Sequence, residues 1–147
     1  MIWQAKTFAA LSKEELYKIL QVRNEVFIVE QKTYYQDLDD KDFEAMHIFL
    51  SDDDGSVLAY CRIMRAGVSY EECCIGRVLT KPSARAHGYG RILVQKALDF
   101  LKEEWNTTAV RISAQCYLQT FYESYGFIAT GETYLEDDLP HIEMWKP

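Results

Sequence analysis

The stretch Val78-Leu79-Thr80-Lys81-Pro82-Ser83-Ala84-Arg85-Ala86-His87-Gly88-Tyr89-Gly90-Arg91 decides how the chain is read. Cys74 to Thr80 is a strand-like run, and Lys81-Pro82 closes it because proline has no N–H to give a sheet ladder. Past the turn, Val94, Ala97, Leu98, Leu101 and Trp105 recur at helical spacing, which predicts a helix from about Tyr89 to Glu104. Strand, glycine turn, helix is the arrangement of an anion site. Glycines let backbone N–H groups turn inward, and the positive end of the following helix favours a pyrophosphate there. Arg85 adds a charge-assisted donor. Taken alone, such a Gly-x-Gly also fits an ordinary strand-to-helix turn. A dinucleotide-binding fold fits less well, because its third glycine belongs where Leu93 stands, and no Lys-Ser or Lys-Thr pair follows the turn as a P-loop requires.

Working outward, Ser12-Lys13-Glu14-Glu15 has the form of a capping box and starts a helix that runs to about Val29. Leu16, Ile19, Leu20, Val26 and Phe27 share one stripe of it, interrupted by Arg23. Glu30 to Ala45 is acidic and aromatic without either period, and reads as an ordered loop. His47–Leu50 and Val57–Met64 form a hairpin across the polar Asp-Gly turn at 51–56. Ala109–Ala114 alternates as a strand. Leu118, Phe121, Tyr122 and Tyr125 form a short helical stripe ended by Gly126. Strands at Phe127–Gly131 and His141–Lys146 then flank an acidic turn, residues 135–140. The whole is a mixed α/β chain with no repeat or linker, which at 147 residues predicts a single domain.

Composition narrows the function classes. A net charge of -7 argues against general nucleic-acid binding, which needs a basic surface, and suits a cationic acceptor. No apolar run reaches the roughly 18 residues of a membrane span, and Met1 to Lys6 lacks the pattern of a signal peptide. The four cysteines lack the spacing of a disulfide framework or a zinc site, and Cys61 and Cys74 lie in apolar runs as small core residues. A reducing cytoplasm is expected, and no metal.

The segment Arg85-Ala86-His87-Gly88-Tyr89-Gly90 resembles the pyrophosphate loop of the GNAT acetyltransferases: Arg or Gln, two residues, Gly, one residue, Gly or Ala. The resemblance covers nearly the whole chain and narrows to the ElaA-like branch. Its marks are Arg23-Asn24-Glu25-Val26-Phe27-Ile28-Val29-Glu30-Gln31, Tyr35-Gln36-Asp37-Leu38-Asp39, Ile75-Gly76-Arg77-Val78, Phe121-Tyr122-Glu123-Ser124-Tyr125-Gly126-Phe127 and Pro140-His141-Ile142.

The resemblance implies a GNAT (acyl-CoA N-acyltransferase) fold: a central, mostly antiparallel sheet, V-splayed between the strands ending at Thr80 and Ala114, with acetyl-CoA in the gap. Val78, Leu79 and Thr80 would pair with the pantetheine arm, and the loop with Arg85, His87, Gly88, Tyr89, Gly90 and Arg91 would hold the pyrophosphate, with Gln115 on the facing strand. A backbone N–H at Leu79 or Thr80 would polarise the thioester carbonyl.

The implied reaction is direct attack of a neutral amine on acetyl-CoA. Tyr122 matches the family's acid for the departing thiolate, although it also lies on an apolar stripe. The base stays open among Glu30, Asp37, Asp39, His47 and His141, with His141 favoured because imidazole titrates near neutrality. Gln31, Tyr35, Asp37 and Asp39 would recognise the ammonium group, and Arg77 would partner one of these carboxylates. The acceptor itself, a small-molecule or peptide amine, is not specified. The resemblance also allows a homodimer, with Trp3 and Trp145 as candidate contact residues, and a non-catalytic acetyl-CoA-binding protein as the rival reading.

Overall fold

Each predicted element finds a physical stop and start in the computed structural model, which describes residues 1–147. Ser12 caps helix α1 (Lys13–Arg23): its Oγ accepts from the Glu15 N–H at 3.0 Å, and the Glu15 carboxylate accepts from the Ser12 N–H at 2.8 Å. The helix does not end at Arg23. It loosens into π-helical turns over Asn24–Glu30, which bring Phe27 to the cleft described below and Glu30 to Arg85. The buried stripe is Ile19, Val22, Arg23, Val26 and Phe27, so the arginine that interrupts the apolar pattern sits inside it, fully buried.

The strands are β1 (Ile2–Thr7), β2 (Met46–Ser51), β3 (Val57–Met64), β4 (Cys73–Thr80), β5 (Val110–Gln115), β6 (Ile128–Ala129), β7 (Tyr134–Glu136) and β8 (Leu139–Lys146). They form one sheet in the order β1-β2-β3-β4-β5-β8-β6, with β7 also on β8. All pairings are antiparallel except β4 with β5. Helix α2 (Tyr89–Glu104) makes the crossover between those two, as a parallel connection requires. It packs Leu93, Val94, Ala97 and Leu101, all 0% exposed, against Ala59, Cys61, Ile63 and Ile75 of the sheet. Each large side chain buried this way stabilises the fold by about 1.5–3 kcal/mol. The opposite face carries α1 and the π-helical turns after it, whose Ile19, Val22 and Val26 pack on Phe49, Tyr60 and Leu79. A short α3 (Gln119–Glu123) follows β5, and Gly126 just beyond it takes a left-handed φ of +94° that only glycine adopts freely.

Three features differ from the sequence reading. Strand β1 was not anticipated, because an edge strand half open to solvent shows no clean alternation. The acidic turn at 135–140 is a hairpin between β7 and β8, pivoting on Asp137 and Asp138, both left-handed at φ 51° and 62°. Aspartate tolerates that region and so takes the role usually given to Asn-Gly. Finally, Trp3 and Trp145 are half-buried and not exposed: Trp3 packs on the core and under the Lys96 ammonium, and the Trp145 indole N–H is enclosed without a partner.

Candidate active site

The two halves of the sheet part company at one point. β4 and β5 pair only through Cys73 with Val110 and Cys74 with Arg111, although β4 runs on to Thr80 and β5 to Gln115. From Ile75 onward the β4 edge that faces β5 therefore has no strand to bond. A bulge helps to turn it. β3 takes two steps from Tyr60 to Arg62 while β4 takes three from Gly76 to Leu79, and the extra residue falls where Arg77 adopts φ 52°. A left-handed non-glycine residue inside a strand is strained, and here the Arg77 guanidinium is held by the Asp37 carboxylate, Nε to Oδ1 2.7 Å.

The wedge between the strands is a cleft of about 340 Å³. Val78, Ala114, Gln115, Leu118 and Tyr122 line one part of it; Gln31, Tyr35, Asp39, Arg62, Arg77, Tyr70, Glu136 and His141 line the rest. Tyr122 is 5% exposed, flanked edge-on by Phe121 and Phe127, and its hydroxyl makes no hydrogen bond within the chain. Burial, reinforced by Cys61, Tyr117 and Tyr125, pushes its phenol above the ordinary value, so the oxygen keeps its proton at neutral pH.

His141 stands opposite Gln115 in the β5–β8 ladder and stacks on Tyr134. Its Nδ1 lies 2.8 Å from the Leu139 carbonyl, which can only accept, so the neutral ring carries its proton there. The Nε2 lone pair is left toward the cleft, 3.4 Å from Glu136 Oε2. His47, by contrast, is fully buried and committed on both nitrogens: the Tyr60 hydroxyl donates to Nδ1 at 2.7 Å and Nε2–H donates to the Asp42 carbonyl at 3.0 Å. Burial lowers its pKa, and it is a structural neutral histidine, outside the cleft.

The acidic loop is not a free anionic surface. Arg23 donates to Asp37 and Asp42, Arg62 to Asp39 and Asp42, and Arg77 to Asp37 and Asp39, closing a ring of three guanidiniums and three carboxylates. Asp37 lies behind the cleft wall, its two oxygens taken by Arg77, Arg23 and the Tyr35 hydroxyl. Its oxygens are thus committed to these donors, and it stands outside the residues that line the cleft. Asp39 does line the cleft, but Arg62 holds both its oxygens at 2.8 and 2.6 Å. Burial raises its carboxyl; the Arg62 hydrogen bonds, then the charges of Arg62 and Arg77, outweigh this and hold it well below the usual range. Tyr35, under the Arg77 guanidinium, is pushed up to about 12, chiefly by burial.

The glycine turn sits at the far end of β4. A short 3-10 turn at Pro82–Ala84 leads to Arg85, then Ala86 (φ 70°) and Gly88 (φ 75°), the N-cap of α2. Gly90 lies beside Thr80, whose carbonyl accepts from Arg85 Nε at 3.2 Å. Arg85 also grips Glu30 with two bonds of 2.7 and 2.6 Å, both side chains part-exposed. His87 is exposed and lies tilted beside Tyr89, whose hydroxyl meets Met1 Sδ; Arg91 lies over Phe121 and Tyr125. The Leu79 side chain points into the α1 layer, so only its backbone faces the wedge side of the strand. Lys41, Arg62, Ser69, Tyr70, Ser113, Glu136 and Asp137 complete the cleft without having been singled out from sequence. Their signal was faint: Lys41, Ser69, Tyr70 and Asp137 sit in loops or turns, and the strand positions of Arg62, Ser113 and Glu136 do not by themselves say which side chains meet across the wedge.

The sequence matches the acetyltransferase (GNAT) domain over residues 8–147. It is 39% identical to protein ElaA of Escherichia coli over 144 residues, 97% of this chain and 94% of that one. It is also 39% identical to a UPF0039 protein of Schizosaccharomyces pombe, over 95% and 92% of the two chains. Among solved structures, an acyl-CoA N-acyltransferase from Pseudomonas aeruginosa superposes with a TM-score of 0.93 at 42% identity, and Escherichia coli ElaA with 0.92 at 38%, each covering 100% of both chains. The splayed sheet, the loop at the start of α2 and these full-length identities agree: the chain belongs to the GNAT acetyltransferase family, in its ElaA-like branch.

Proposed function

We propose that the protein is an N-acetyltransferase that moves an acetyl group from acetyl-CoA to a primary amine, by direct attack with both substrates bound. The observation that carries this reading is the two-rung pairing of β4 with β5, which leaves a strand edge with free amide and carbonyl groups beside a buried, proton-bearing Tyr122. An extended amide-containing arm fits such an edge as a further strand would. Val78, Leu79 and Thr80 supply the backbone, Gln115 faces them from β5, and a backbone N–H of Leu79 or Thr80 stabilises the oxyanion. The loop from Arg85 through His87, Gly88, Tyr89 and Gly90 to Arg91 receives the pyrophosphate at the N-terminus of α2.

The proton traffic follows from the two groups described. The amine loses a proton to His141 Nε2, directly or through water, and its nitrogen adds to the thioester carbon. The C–S bond then breaks as Tyr122 gives its proton to the departing thiolate, and the second proton of the attacking nitrogen returns to the tyrosinate through water. Products are an acetamide and CoA. A covalent acyl-enzyme finds little support, since burial raises the thiols of both Cys61, beside Tyr122, and Cys74, in the cleft wall. Four free cysteines accord with a cytoplasmic setting, and no helix is long and apolar enough to cross a membrane. Gln31, Tyr35 and Asp39 line the acceptor side, with Asp37 acting behind them through Arg77.

The test is a calorimetric titration with acetyl-CoA, beside NAD and ATP, followed by thiol release with a panel of amines. Saturable binding of acetyl-CoA together with amine-dependent thiol release is the expected result. Binding without release in any amine would favour a sensor, and absence of binding would remove the enzyme.

A further inference from the structure

The acceptor side of the cleft is charged in a way that the transfer reaction alone does not require. Of the permanent cations that line it, Arg62 and Arg77 are bonded to aspartates. Lys41 is different. Its Nζ has no carboxylate partner and is held only by Ser69 Oγ, at 2.8 Å. Ser69 and Tyr70 line the same wall, the Tyr70 hydroxyl bonds to nothing in the chain, and Arg62 Nε nearby is enclosed without an acceptor. With three guanidiniums matched against three carboxylates, this wall carries the unmatched positive charge of Lys41.

The location of this charge is specific. Val68 and Tyr70, on either side of Ser69, pack against the cluster that includes Cys74, the last β4 residue paired with β5, so Lys41 on Ser69 marks the closed end of the wedge. His141 faces Gln115 at the open end, and Glu136 and Asp137 stand with it. Tyr35, Tyr70, Glu136 and Asp137 line this same cleft, so the two ends belong to one chamber. A compound with a single positive charge would meet the open end's carboxylates and leave Lys41 facing nothing.

We propose that the acceptor is a small amino acid, its carboxylate bound by Lys41 Nζ and the hydroxyls of Ser69 and Tyr70, its amine held against Glu136 and His141 beside the thioester. The inference rests on the acetyl-transfer reading for which end carries the reacting amine. It deepens that reading by assigning the second functional group.

The test uses matched pairs that differ only by a carboxylate: β-alanine with ethylamine, 4-aminobutyrate with propylamine, 5-aminovalerate with butylamine, and lysine with cadaverine. Each is titrated calorimetrically into the protein with and without saturating CoA, so that binding is read whether or not acetyl transfer occurs. At least one acid is expected to bind about 10-fold to 100-fold more tightly than its partner, the span of one charged hydrogen bond. In Lys41→Met, with its fold checked by circular dichroism, that preference collapses to within about threefold; Lys41→Arg keeps part of it. Equal binding within every pair, no binding by any acid, or a preference that survives Lys41→Met would overturn the proposal. The two readings fail separately. Acetylation of the plain amines at equal efficiency removes the amino-acid inference and leaves transfer, while tight binding of an acid that is never acetylated removes transfer and leaves the pocket.

Discussion

Two sets of ion pairs, one in the cleft wall and one at the glycine turn, differ in almost every physical respect. The ring of Arg23, Arg62 and Arg77 with Asp37, Asp39 and Asp42 is enclosed, and each group has more than one partner. The pair of Arg85 with Glu30 is a single contact, with side chains 46% and 37% exposed. Charges removed from water must be matched in place, so the ring acts as a fixed frame that holds the strained Arg77 bulge and the loop through Tyr35. A part-exposed pair is screened and stabilises little, which makes it exchangeable. Glu30 supplies to Arg85 the same bidentate oxygen geometry that a phosphate would.

The largest effect expected from this contrast is in Asp42→Ala, which takes an oxygen from both Arg23 and Arg62. Leaving buried guanidiniums short of a partner costs about 3–5 kcal/mol, to be read from urea denaturation. The same ring sets an acid limit. Asp39 and Asp42 are held below their ordinary values, so their stabilisation is intact above the unfolded aspartate pKa of about 3.9 and is lost as pH falls below it toward the folded values. Unfolding midpoints measured from pH 6 down to 2 should stay flat and then drop, with the drop smaller in Asp42→Ala.

Tyr122→Phe would break the simple rule that buried means structural. The hydroxyl has no partner to lose, so stability should change by less than about 0.5 kcal/mol, while kcat falls about 100-fold with little change in the KM for acetyl-CoA. Smaller again is Arg85→Ala, expected to weaken acetyl-CoA about tenfold or more with almost no change in the denaturation midpoint. The smallest effect sharpens the comparison most. Glu30→Gln removes the competitor for Arg85 and should tighten acetyl-CoA by roughly two- to fivefold in low salt, with the gain shrinking as salt rises; a loss of affinity would mean that Glu30 assists the ligand.

Most of the framework was legible because it is periodic. The capping box at Ser12, the α2 stripe from Leu93 to Leu101 and the glycine turn each announce themselves over a few residues, and family likeness supplied the splay that no local pattern encodes. What was not legible is long-range. The fate of Asp37 depends on Arg23 and Arg77, 14 and 40 residues away, and nothing in Tyr35-Gln36-Asp37 says whether its carboxylate meets solvent, substrate or a guanidinium. Arg23 carried the better clue: an arginine on an apolar stripe needs a buried counterion, and the acidic loop was the nearest source. Likewise, Glu136 was read as part of a turn because its left-handed Asp137-Asp138 pivot contains no glycine.

The parting of β4 and β5 also changes how the sheet presents itself to other proteins. An open sheet ordinarily has two outer edges where a foreign strand can dock and seed aggregation. This one has two more, facing each other across the wedge. They are protected by geometry and not by charge or proline, because a gap of about 340 Å³ admits a single thin chain but no strand that trails a sheet of its own. The same narrowness therefore bars sheet-to-sheet pairing at these two inner edges.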